Sequence, residues 1–203
     1  MNRLTISFLF FAFSFVFMIG AVPAQVENKQ VEPSYEAVLH LIVGSSDASL
    51  KDGLPQNLSN ISRQIKTNFA FSNYRLANTF VGRIANTGSF EYKSLSDMFG
   101  QESSDSRTFL EWTLGGLRAV PDASGQTTFQ AQTFRFGARV PLKTGQTKNS
   151  EGQIIDLINY EQVGLSMNRT SFGENKPTLI GTLSLPKTSG TLFLVLTMKT
   201  VDN

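Results

Sequence analysis

The chain has 203 residues, with 18 Lys and Arg against 16 Asp and Glu, one His and no Cys. A formal charge of +2 at pH 7 gives no bulk electrostatic claim on nucleic acid or anionic membrane. The missing cysteines exclude thiol catalysis, zinc-thiolate sites and disulfide stapling, so packing must supply the stability.

The first residues read as a secretory signal peptide, 1–24. Arg3 is a positive n-region, Leu4 to Ala21 is almost wholly apolar, and Val22-Pro23-Ala24 offers small residues for cleavage before Gln25. About 179 residues would remain, enough for one domain. Residues 25–34 are a polar, flexible lead-in, and 35–203 are expected to fold as a single unit. Tyr35 to Val43 (YEAVLHLIV) is apolar on both faces, as a central strand would be.

Leu54, Leu58, Ile61, Ile65 and Phe69 recur on a 3.6-residue period, so Leu54 to Asn68 is an amphipathic helix with Pro55 in its first turn. From Tyr74 the pattern switches to alternation: Tyr74, Leu76, Asn78, Phe80, Gly82 and Ile84 share one face of a strand. Asn78 is the polar exception on that face, and it should be hydrogen-bonded or line a cavity. Asn86-Thr87-Gly88 turns into a further strand, Ser89 to Leu95, and Ser96 to Asp105 is a loop. Arg107 to Val120 alternates until Gly115-Gly116, which signals a bulge or a close backbone approach.

Thr127 to Leu142 changes parity near Gln132-Thr133, where a bulge or bend would keep Phe129, Ala131 and Thr133 on the same side as Phe134, Phe136, Ala138, Val140 and Leu142. Lys143 to Gln153 reads as an exposed polar connection. Ile154 to Phe172 is one bent strand or two, interrupted at Gly164. Thr178 to Leu185 and Thr191 to Val201 form a hairpin, whose second strand is apolar on both faces and so belongs inside a sheet.

Little here points to catalysis. His40 stands alone, without a visible acid or nucleophile partner. Glu91, Glu111, Asp156 and Glu161 each alternate with apolar neighbours, the position of a solvated outer face. Arg135 and Arg139 flank Gly137 opposite Phe134, Phe136 and Ala138, so alternation separates these cations from the aromatic rings of their own strand. Phosphate-loop and calcium-loop spacings are absent, and no cofactor or metal is expected. Asn57, Asn60 and Asn168 lie in Asn-x-Ser/Thr triplets, the first two within the helix.

The last third, VGLSMNRTSFGENKPTLIGTLSLPKTSGTLFLVLTMKTV, resembles the closing β-hairpins of bacterial secretin-type proteins, the ring-forming outer-membrane channels of secretion systems. Ser171 to Gly181 stands where that family has "dGqt" and "vvGgl", and Leu192 to Val201 where it has "lvvlltpkiv". The family's "VPvLGdiPvlG" segment is missing, so channel formation is not carried over. The resemblance implies a small envelope domain that recognises other proteins through an exposed edge or face.

The expected fold is α+β: a mainly antiparallel sheet of about seven or eight strands, curled as a half-barrel or stacked as a sandwich, with one helix on it. The expected function is noncatalytic. It is an exported envelope domain, periplasmic or extracellular and peripheral at the outer membrane, that binds an envelope protein partner without nucleic acid or stable membrane insertion. An alternative is a carrier of a small apolar ligand, lined by Phe80, Phe90, Trp112, Phe134 and Phe136. An eight-stranded membrane barrel ranks third, because the last strand lacks polar lumen alternation.

Overall fold

A computed structural model describes residues 32–47, 53–99, 107–185 and 190–201. The expected signal peptide 1–24, most of the expected lead-in 25–34, most of the loop expected over Ser96 to Asp105 and residues 186–189 of the expected hairpin lie outside them. The alternation of β1 (Ser34–Ser45) serves two cores. Tyr35, Ala37, Leu39, Leu41 and Val43 enter one apolar cluster, while Ile42 enters another on the opposite face.

The second cluster is where the helix sits. A 3₁₀ turn at Gln56–Leu58 begins after Pro55, which caps it from outside with φ of −55° and ψ of 150°, so the helix starts later than Leu54, and α1 (Ser59–Asn68) continues it. Leu58, Ile61 and Ile65 pack against Ile42, Tyr74, Phe193 and Val195. Phe69 leaves the helix in extended conformation, yet its N–H still donates to Ile65 O at 2.9 Å. Its ring meets Phe193 edge-on with centroids 4.8 Å apart.

Four antiparallel strands form the sheet beneath the helix, in the order β2 (Asn73–Ala85), β1, β9 (Gly190–Val201), β8 (Thr178–Leu185). β9 lies inside this sheet, as its two apolar faces require. Leu192, Leu194, Leu196 and Met198 face the larger core, and Phe193 and Val195 face the helix.

A second antiparallel sheet covers the other face of the first. Its order is β3 (Ser89–Ser96), β4 (Thr108–Gly115), β6 (Thr127–Lys148), β7 (Ile154–Gly173), with the short β5 (Arg118–Pro121) following β4 along the same edge of β6. The architecture is therefore α+β with nine strands among the described residues, stacked as helix, sheet and sheet. The sheets stack and do not close into a barrel. Two turns carry the chain between them, Ala85 to Ser89 going out and Gly173 to Thr178 coming back.

Three readings are corrected. β2 does not keep one apolar face: its register with β1 jumps from Leu41↔Asn78 to Ile42↔Leu76, leaving Ala77 as the extra residue of a bulge. Tyr74 and Leu76 thus serve the helix core, and Phe80 and Ile84 the inter-sheet core. Asn78 marks this bulge, half-buried, its Oδ1 accepting the Thr79 N–H at 2.7 Å.

Lys143 to Lys148 is strand, not loop, because a register shift between Lys143 and Gly145 lets the ladder with β7 continue to Lys148↔Ile154. Gly164 does not interrupt β7 either. It pairs with Gly137, and a Cβ there would run into the backbone oxygen of Phe136. The glycine permits close approach of two strands.

The parity change of β6 is present, but no residue is inserted. Ala131↔Thr170 and Thr133↔Asn168 keep one register because β7 changes parity at the same level, through Arg169 with φ of 55°. On the other side, Gly116 separates β4 from β5 with φ of 63°, and its Cβ position is filled by the Gln132 side chain. Three neighbouring strands break together.

Candidate interaction surface

β6 and β7 are 22 and 20 residues long, far beyond their neighbours. Arg139 is the last β6 residue paired with β4. Beyond it Val140 to Lys148 pair only with β7, so about 30 Å of two-stranded ribbon runs on past the sheet. One ribbon edge is β6 from Val140 on; the other is β7. Such edges present alternate backbone N–H and C=O groups ready for another strand.

The ribbon is well specified. Its turn, Asn149 to Gln153, repeats the chemistry of Asp122 to Gln126. Asn149 Oδ1 accepts from Glu151 and Gln153 N–H at 3.0 and 2.8 Å, and Gly152 takes φ of 80°. Asp122 Oδ1 accepts from Ser124 and Gln126 N–H at 2.8 and 2.9 Å, with Gly125 at φ of 80°. An Asx residue followed at the third position by glycine is the shared signal. Across the ribbon Lys143 Nζ meets Asp156 Oδ1 at 2.7 Å, and Gln146 Nε2 donates to the same oxygen at 2.8 Å. These two partners hold the Asp156 carboxyl below its ordinary range, Lys143 foremost.

The β7 strand of the ribbon exposes large apolar side chains. Ile154, Ile155, Leu157 and Tyr160 are 64, 46, 47 and 42% exposed. They lie on one strand, along with the acids Asp156 and Glu161. The free part of β6 carries Lys143 and Lys148 and no acid.

The outer face of the second sheet adjoins the ribbon. Across its strands lie three rows in register: Glu91, Thr113, Arg135 and Ser166; Lys93, Glu111, Gly137 and Gly164; Leu95, Phe109, Arg139 and Gln162. The paired glycines leave a depression of about 660 Å³ lined by Glu91, Glu111, Arg135 and Gln162. The Arg139 guanidinium stacks 5.1 Å from the Phe109 ring, and Tyr160 lies 5.8 Å from the same ring. Alternation within β6 separated cation from aromatic; the neighbouring strands supply the rings.

Phe80, Trp112, Phe134 and Phe136 are buried between the sheets and Phe90 is packed partly exposed against them. Phe90 meets Trp112 edge-on at 4.6 Å, and Trp112 lies 6.2 Å from Phe134. These five therefore belong to one inter-sheet core, Phe80 reaching it beside Tyr92 at 4.8 Å.

His40 is buried, its Nδ1 sharing a hydrogen bond with Thr79 Oγ1 at 3.0 Å, and burial pushes its pKa down. Glu91 pairs with Lys93 at 2.8 Å. Glu161 lies on β7 opposite Val140, away from Glu91 and Glu111. Asn57, Asn60 and Asn168 are exposed. No helix of the described residues is long and apolar enough to cross a membrane.

No family model and no curated protein matches the chain. Solved structures similar to it include the secretin PilQ of the V. cholerae type IV competence pilus, at 11% identity and a TM-score of 0.35 over 85% of this chain and 58% of that one. The secretin InvG of the Salmonella SPI-1 type III secretion injectisome, in the open gate state, is 11% identical with a TM-score of 0.36 over 100% of this chain and 67% of that one. The β-barrel secretin domain of InvG gives 10% and 0.33 over 98 and 68%. These neighbours are secretin domains, and the likeness is distant. The chain spans only 58% of the PilQ chain.

Proposed function

We propose that the protein is a noncatalytic module of the cell envelope that works by protein association, its β6–β7 ribbon pairing edge to edge with the ribbon of another copy. The observation that carries this reading is the ribbon itself: two open edges, exposed isoleucine, leucine and tyrosine, and a division of charge between its strands. Lys143 already holds Asp156 within the ribbon, and a neighbour's β7 placed beside β6 adds a second acidic strand to its lysines, whereas β6 beside β6 sets lysine against lysine. The contact is then heterologous, each copy offering a different edge on each side. Burying the four exposed apolar side chains would add roughly 1 kcal/mol each, since each already has part of its surface covered.

The envelope location rests on the leader-like 1–24 segment, and the absence of catalysis on the scattered acids and the single buried histidine. Native mass spectrometry tests the association directly. The chain should form oligomers that Ile155→Lys with Leu157→Lys converts to monomers, which keep the parent's circular dichroism because both side chains are exposed. Oligomers that survive both substitutions would overturn the ribbon as the contact.

A further inference from the structure

The level at which three strands break together, at Gly116, Gln132 and Arg169, opens a second depression on the outer face, of about 370 Å³. Arg118 and Arg169 line it, with Gln130, Gln132, Thr170 and Ser171. Register explains part of the convergence: Arg118, Gln130 and Ser171 form one row across β5, β6 and β7. Neither arginine has an ion-pair partner among the described residues. No carboxylate is among the described residues that line the depression, so each polar side chain there can donate a hydrogen bond.

Arg169 holds φ of 55° in a strand, a conformation that glycine adopts freely and arginine does not. This unfavourable backbone position carries a guanidinium that lines the depression. We propose that this depression binds a phosphate-bearing ligand, clamped between the Arg118 and Arg169 guanidiniums. One planar fork saturates a carboxylate, whereas two forks from separate strands, with hydroxyl and amide donors between them, match the several acceptor oxygens of a tetrahedral anion. The phosphate is free or belongs to a lipid headgroup. The edge pairing of the ribbon plays no part in this site.

Calorimetric titration of the full chain with inorganic phosphate, and flotation with vesicles of phosphatidylglycerol or phosphatidylcholine, test the site and separate its two sources. Saturable phosphate binding that weakens about tenfold or more in both Arg118→Gln and Arg169→Gly supports a free anion. Flotation with phosphatidylglycerol alone, lost in both variants, supports a headgroup. Arg169→Gly relieves the backbone, so its melting temperature should hold or rise while binding falls, an outcome a purely structural arginine would not give. Binding to neither probe, or binding unchanged in both folded variants, would overturn the site.

Discussion

Gly137 and Gly164 are partners across β6 and β7, yet a methyl group should act oppositely on them. At Gly137 the nearest atoms to an added Cβ are side-chain atoms of Gln162 and Glu111, both at 3.6 Å, an ordinary contact. At Gly164 the obstacle is strand backbone, Phe136 O and Gly137 Cα, which cannot swing away. Gly164→Ala should therefore cost about 1–3 kcal/mol in urea denaturation through overpacking. Gly137→Ala should be neutral or stabilising by less than about 1 kcal/mol, through the reduced freedom of the unfolded chain. Sequence marked Gly164 only as an interruption. Which glycine is crowded depends on the strand laid beside it, and that is a tertiary fact.

Single elements were legible where their own neighbours in sequence settle their environment. The helix stripe of Leu58, Ile61 and Ile65 and the doubly apolar β9 are of this kind, because periodicity reports burial directly. The bulge of β2 was not legible, since alternation continues through Asn78 while the residue facing β1 changes. The ribbon was hidden for a different reason: Lys143 to Lys148 is polar because its strand is solvated, and polarity in sequence reads as loop.

The return from β7 to β8 shows how elements lock. Glu174 Oε1 accepts from Thr200 Oγ1 at 2.6 Å and from Thr200 N–H at 3.1 Å, tying the end of one sheet to β9 of the other. Those donors hold its pKa below the ordinary 4.5, Thr200 Oγ1 foremost. The contribution is thus complete above that value and is lost as pH falls through the lower folded-state pKa. Glu174→Gln should cost about 1 kcal/mol at pH 7. The difference from the parent should shrink in denaturation curves taken below pH 4.5.

At the scale of the whole molecule, the two sheets and the helix account for a stable body, which takes in Val140 and Pro141, and the ribbon beyond them is the part that body does not need. Its open edges, its exposed Ile154, Ile155 and Leu157, and its lysine strand beside an acidic strand are the features on which the proposed pairing with another copy rests. Hydrogen exchange measured at low and high protein concentration examines those edges amide by amide. The account predicts that protection rises with concentration at alternate amides of Leu142 to Lys148 and of the free edge of β7 from Ile154 to Val163, while the amides already bonded between β6 and β7 stay unchanged. Concentration-independent exchange along both edges, in a chain that nonetheless associates, would contradict it.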